Sequence, residues 1–127
     1  MFSTNYRNTL ITVAEDCPVN MGTPPVKSGT IAERQFAILN AAPYGITSDE
    51  LLLRIENARK GRISAEAFFA TPKACLRTSP LVRKHGYGLH HDGEGRVALV
   101  AMESADYAKL LADAGVAKRA GMRSARK

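Results

Sequence analysis

Two short strand-like segments flank the triplet Gly93-Glu94-Gly95, and this pattern restricts the possible folds more than any other feature of the chain. Residues 87–92 and 96–102 have the composition of β-strands. A three-residue loop with Gly95 in the left-handed conformation would join them into a hairpin, with Leu89 opposite Leu99. The chain is therefore predicted to contain a small antiparallel sheet.

The other elements are predicted from start and stop signals. Residues 9–14 alternate and are rich in β-branched side chains, which is typical of a strand, whereas the prolines and glycines of 17–29 indicate a loop. Helix N-caps are expected at Thr30, Thr47, Ser64, Ser79 and Ser104. This order predicts an α+β fold, a single domain with an antiparallel sheet of about three strands covered by helices.

Positive charge is concentrated at the end of the chain. The protein has 127 residues, 18 of them basic and 12 acidic. Five of the basic residues lie in the last ten: Lys118, Arg119, Arg123, Arg126 and Lys127. We therefore expect a nearly neutral globular domain over residues 1–115 and a basic, disordered tail over residues 116–127.

The sequence indicates a cytoplasmic protein that does not enter a membrane. Cys17 and Cys75 are too few for a disulfide framework, so reduced thiols are expected. The first residues lack the apolar region of a signal peptide, and the longest apolar run covers only 97–102.

Searches for catalytic and cofactor motifs find none. Gly86-Tyr87-Gly88 begins like a dinucleotide fingerprint, but His91 stands where the third glycine belongs. The chain has no phosphate-binding loop, nucleophile elbow or paired zinc ligands. No cofactor or metal is expected, and a binding or accessory domain is favoured over an enzyme.

Five segments within roughly residues 8–111 form a recognisable set of motifs: Ala14-Glu15-Asp16-Cys17-Pro18, Pro24-Pro25, Tyr44 with Thr47-Ser48-Asp49, Cys75-Leu76-Arg77-Thr78-Ser79-Pro80-Leu81, and the hairpin. Together they resemble a bacterial family of small uncharacterised domains, a domain of unknown function. The resemblance implies no established activity, but Cys17, Cys75, Arg77, Ser79 and His90 fall on its motifs. Tyr87 and His91 depart from it, standing where the family has Trp and an aromatic residue, which suggests that His91 is a packing residue.

The segment around Arg77 is the most plausible ligand site. Cys75 and Arg77 lead into the helix start at Ser79, where free backbone amides and a guanidinium could bind an anion. His90 would add a titratable contact, and Cys17 completes the set of candidate ligand residues. The predicted partner is an unidentified protein or anionic ligand. In the alternative, purely structural interpretation, Ser79 only caps a helix and Cys75 is a buried thiol.

Two other functions remain open from the sequence. The basic residues of the tail could bind nucleic acid electrostatically. An enzyme could instead use Cys17 or Cys75 with His90, and these three residues have the right chemistry for zinc although their spacing does not require it. His90 and His91 would project from opposite faces of one strand, so they are not expected to share a metal.

Overall fold

The computed structural model describes residues 2–125, which form an α+β domain with one four-stranded sheet. In chain order the elements are β1 Thr9–Thr12, α1 Ile31–Ala41, α2 Ser48–Lys60, α3 Ala65–Phe68, a 3-10 helix Leu76–Thr78, α4 Pro80–Arg83, β2 Tyr87–His91, β3 Val97–Ala101, α5 Ala105–Ala112 and β4 Ala117–Ala120. The sheet order is β3-β2-β1-β4. The α+β prediction is confirmed, with one strand more than expected.

The hairpin of β2 and β3 has the predicted register. Leu89 lies opposite Leu99 and His91 opposite Val97, and Gly95 has a positive φ of 79°. The Asp92 carboxylate accepts hydrogen bonds from the amides of Glu94 and Arg96, both at 2.9 Å. These bonds fix the conformation of the loop, and the loop sets the register of the two strands. The local sequence therefore determines which side chains of the hairpin lie on each face of the sheet.

The two faces of the sheet are covered by different helices. Helices α1, α2 and α4 bury their apolar residues against one face, which includes Ile11 and Leu89. The other face carries Leu10 and Val100, and there α5 contributes Tyr107. Adjacent residues of β2 therefore lie in different surroundings, which places His90 and His91 on opposite faces as predicted.

The N-caps expected from the sequence are present. Thr30, Thr47, Ser64, Ser79 and Ser104 each accept a backbone N–H of the following helix. At Thr47 the Glu50 carboxylate also accepts the amide of the cap residue itself, whereas at Thr30 the Glu33 carboxylate accepts the amide of the preceding residue, Gly29. The helix starts are thus encoded locally by single polar side chains.

The N-terminal segment crosses the helical face and ties it to α2. The Thr4 amide donates to Asp49 Oδ1 at 2.7 Å, and the hydroxyls of Thr4 and Ser48 lie 2.7 Å apart. The ring of Tyr6 then packs edge-on against His91, with ring centroids 5.5 Å apart. This segment covers the end of β2 and brings Tyr6 towards the 3-10 helix.

The end of the chain differs from the expected disordered tail. Residues 117–120 form β4, which pairs in parallel with β1, and the Gly121 amide donates to Thr12 O at 2.8 Å. Beyond it, the amides of Ser124 and Ala125 donate to Asp16. Residues 117–125 are thus held by partners more than a hundred residues earlier in the chain. Arg126 and Lys127, which the prediction also included, lie outside the described residues.

Between residues 2 and 125, none of the helices combines the length and apolar character needed to traverse a bilayer.

Candidate functional site

Ser79 is committed to internal hydrogen bonds. Its side chain is buried, and its hydroxyl donates to Gln35 Oε1 at 2.6 Å while accepting the amide of Leu81 at 3.1 Å. Because Gln35 belongs to α1, Ser79 both caps α4 and fastens it to α1. The contacts of Ser79 are therefore those of a helix cap, which is the structural interpretation of this residue.

Cys75 is paired with a phenol. Tyr6 donates its hydroxyl hydrogen to Cys75 Sγ at 3.2 Å, and the thiol is half-buried. Burial and the neighbouring Cys75 raise the pKa of Tyr6, and the cations Arg77 and Arg119 only partly oppose that rise. The contact holds the N-terminal segment against the 3-10 helix.

Arg77 forms hydrogen bonds along the outer edge of β4. Its Nε donates to Ala120 O at 2.6 Å, and its carbonyl oxygen accepts the Met122 amide at 2.8 Å. The Ala120 carbonyl oxygen and the Met122 amide are not paired with β1. Arg77 therefore provides hydrogen-bond partners for backbone groups that would otherwise face solvent.

His90 lies on the α5 face and contacts Tyr44. The Tyr44 hydroxyl is 2.7 Å from His90 Nδ1, and Tyr44 has a φ of 57°, a left-handed conformation unusual for a non-glycine residue. Burial lowers the pKa of His90, against the opposing effect of Asp92 and Asp113. Burial also raises the pKa of Tyr44, with Asp92 contributing. This pairing was not predicted from the sequence, although Pro43 and Gly45 beside Tyr44 indicate a turn.

The predicted site residues do not all converge, since Cys75 and Ser79 line one cavity but His90 and Cys17 lie elsewhere. His90 faces α5, whereas Cys75 is reached through Tyr6, which packs on His91 at the opposite face. Cys17 follows β1, where it helps burial to raise the pKa of Tyr107. Over residues 2–125 no group of three or more His, Cys, Asp or Glu side chains could hold a metal ion, so the three-ligand zinc arrangement is not formed.

A cationic cleft lies beside Ser79 and Cys75. It has a volume of about 530 Å³ and is bounded by the end of α2, the segment before the 3-10 helix, and α4. Four cations line it, namely Arg59, Lys60, Lys73 and Arg83, together with a single carboxylate, Glu56. We call this feature the cationic cleft.

Within the part of the chain that the structure describes, the four cations of the cleft form no ion pair with a carboxylate. Among residues 2–125, ion pairs within 4 Å join only Arg96 to Glu94 and Arg123 to Glu15. Lys73 instead places its ammonium 4.4 Å from the centre of the Phe68 ring, and Nε of Arg83 is buried without a hydrogen-bond partner. The arrangement is suited to an anion, because an unpaired cation at an apolar wall gains more from a counter-charge than one in open water.

The positions of some cleft residues can be predicted from the sequence. Arg59 and Lys60 lie in the last turn of α2 and Arg83 in the last turn of α4, so local helix signals place these three cations. Lys73 was missed, because it lies in a segment without regular structure whose path is set by tertiary contacts.

The cations predicted in the tail have different surroundings. Lys118 Nζ donates to the carbonyl oxygens of Asp113 and Val116, and Arg123 pairs with Glu15 at 2.8 Å. Arg119 lies close enough to Tyr6 to oppose in part the rise that burial and Cys75 cause in the pKa of its phenol. The charge of this segment is therefore partly engaged with the domain.

Comparison with curated proteins returns no match, and no solved structure matches the chain. One family model, described as a family of unknown function (DUF6157), matches residues 1–127. The similarity thus extends beyond residues 8–111 and includes β4. The chain belongs to this family of unknown function, DUF6157.

Proposed function

We propose that the protein is a small binding domain whose cationic cleft recognises an anionic ligand or an anionic segment of a partner. The observation that carries this proposal is the convergence of Arg59, Lys60, Lys73 and Arg83 on one cavity that contains a single carboxylate. The sequence analysis placed recognition at Arg77, Ser79 and His90. The proposal moves it to the cavity that Cys75 and Ser79 border, away from Arg77 and His90.

Two physical effects support the proposal. A concave surface lined by charges of one sign concentrates their field and raises the local concentration of counter-ions. Guanidinium groups can also bind the oxygens of phosphate or carboxylate in a bidentate manner, and Arg59 and Arg83 both line the cavity. Apolar walls such as Phe68 and Leu52 limit the screening by water.

Binding of inorganic pyrophosphate tests the proposal. We expect calorimetric titration to detect binding that weakens between about 50 mM and 200 mM salt, since screening reduces charge attraction. Arg83→Gln and Arg59→Gln should each weaken binding at least several-fold, because each removes a cation of the cleft.

Arg7→Gln is the matched control, since Arg7 is exposed and does not line the cleft. It removes the same charge and should leave the affinity nearly unchanged. Equal losses in all three variants would show that pyrophosphate responds only to net charge, and the proposal would then fail.

Nucleic-acid binding is an alternative proposal supported by the exposure of β4. All four residues of that strand are exposed, and Lys118 and Arg119 lie on it. Mobility-shift assays with single-stranded DNA distinguish the two proposals. Loss of binding in a Lys118→Gln, Arg119→Gln double variant, with Arg83→Gln unaffected, would favour β4 over the cleft.

A further inference from the structure

An apolar surface continues the cationic cleft. A second cavity of about 520 Å³ is lined by Pro25, Val26, Ile31 and Pro80, with Lys27 and His85 beside them. It shares Ile31, Arg59 and Pro80 with the cleft. We call it the apolar shelf, and Arg59 joins the two into one groove along α1, α2 and α4.

The apolar shelf is held in place although one of its side chains, that of Val26, is exposed. Val26 is 95% exposed, which is a large exposure for an aliphatic residue in a fixed segment. On one side, the Thr23 amide donates to His85 O at 2.8 Å. On the other, the Thr30 hydroxyl donates to Lys27 O at 2.9 Å. Binding there would order little additional chain, which lowers its entropic cost.

We propose that the groove binds an acidic peptide segment of a partner protein, with carboxylates in the cationic cleft and a neighbouring apolar side chain on the shelf. This inference rests on the proposed function of the cleft and names its partner class. Charge complementarity supports it, because Lys27 adds a fifth cation to the four of the cleft and Glu56 is the single acid. A peptide suits the groove better than a small molecule, because both cavities are open to solvent and small-molecule sites usually enclose most of the ligand.

Three fluorescein-labelled peptides of equal length test the inference by anisotropy. The first carries consecutive glutamates followed by a leucine, the second has serine in place of the leucine, and the third keeps the leucine but has glutamine in place of each glutamate. We expect the first to bind roughly tenfold more tightly than the second, because one aliphatic side chain becomes buried. The third should bind most weakly, because it lacks the charge that the cleft recognises.

Variants assign the two contributions to their surfaces. Val26→Ser should bring the affinity for the leucine peptide down to that for the serine peptide, and it should leave the serine peptide unchanged. Arg83→Gln should weaken both acidic peptides. Leu111→Ser is the matched control, because Leu111 is 45% exposed and lies outside both cavities.

The outcomes separate this inference from the proposed function. Equal affinity for the two acidic peptides, or no effect of Val26→Ser, would overturn the peptide inference while pyrophosphate binding still supported the cleft. Binding to phosphatidylserine vesicles without binding to the leucine peptide would overturn it as well. Absence of binding to every acidic probe, including pyrophosphate, would overturn both proposals.

Discussion

His90 and His91 are neighbours in β2 but have different surroundings. His90 reaches a tyrosine hydroxyl at the α5 face, whereas His91 is fully buried and bonds through Nδ1 to Leu89 O. Nε2 of His91 has no partner among the described residues. The packing role predicted for His91 agrees with this burial, but its unpartnered nitrogen depends on tertiary neighbours that the sequence does not specify.

The buried His91 is expected to make the domain sensitive to mild acid. Burial lowers its pKa from 6.5 to about 4, so between these values the unfolded chain binds a proton that the folded chain does not. The free energy of unfolding should therefore fall by roughly 3 kcal/mol as the pH drops through this window. Urea denaturation at a series of pH values measures it. His91→Phe should flatten the dependence, whereas parallel curves for His91→Phe and the original protein would contradict the assignment.

Ser79 is expected to matter for stability and not for binding. Ser79→Ala removes a cap and leaves the Gln35 amide buried without its partner, so we expect a loss of about 1–3 kcal/mol. Ser64→Ala removes an exposed cap and should cost less. Thermal denaturation compares the two variants. Unchanged stability with lost pyrophosphate binding would instead make Ser79 a ligand contact.

At the level of elements, local signals predicted the hairpin and the helix starts but not β4. The hairpin needs Gly95 and alternating apolar residues, and both are visible in the sequence. Ala117–Ala120 lacks β-branched or aromatic residues, and its side chains are exposed. The strand is stabilised by pairing with β1 and by Arg77, which are contacts between distant parts of the chain.

Gly121 provides a test of whether this segment packs against the domain. A Cβ atom there would lie 2.9 Å from Thr12 O and from Val82 Cγ2, so Gly121→Val should cost about 1–3 kcal/mol by overpacking. Gly115→Ala is the control, because its Cβ would approach only Asp113 Oδ1, at 3.2 Å. Chemical denaturation compares them. If Gly121→Val is as stable as Gly115→Ala, residues beyond 115 do not pack as the structure describes.

For the whole molecule, the division into a neutral domain and a separate cationic tail does not describe the charge contacts. Glu15 and Asp16 bind Arg123 and the amides of Ser124 and Ala125. Those amides hold the pKa of Asp16 below its ordinary value despite the opposing effect of desolvation. The sequence shows where the basic residues lie in the chain but not which acidic residues they contact in the fold. The cationic cleft was only partly predictable for the same reason, since its members come from separate segments.

We expect residues 2–125 to unfold as one cooperative unit. The four tyrosines, Tyr6, Tyr44, Tyr87 and Tyr107, pack at both faces of the sheet. Tyrosine fluorescence and far-UV circular dichroism should therefore give coincident urea transitions. The absence of tryptophan leaves the tyrosine signal clear. Separate midpoints for the two probes would show that one face melts independently.

The parallel pairing of β4 with β1 also sets an order for folding during synthesis. Of the described elements β1 is made first and β4 last, so in a nascent chain the side of β1 that β4 covers stays unpaired until residues 117–120 have been made. An unpaired strand edge is a template for association with other chains. Residues 117–120 therefore protect one edge of β1, and a chain that lacked them would present that edge to its neighbours.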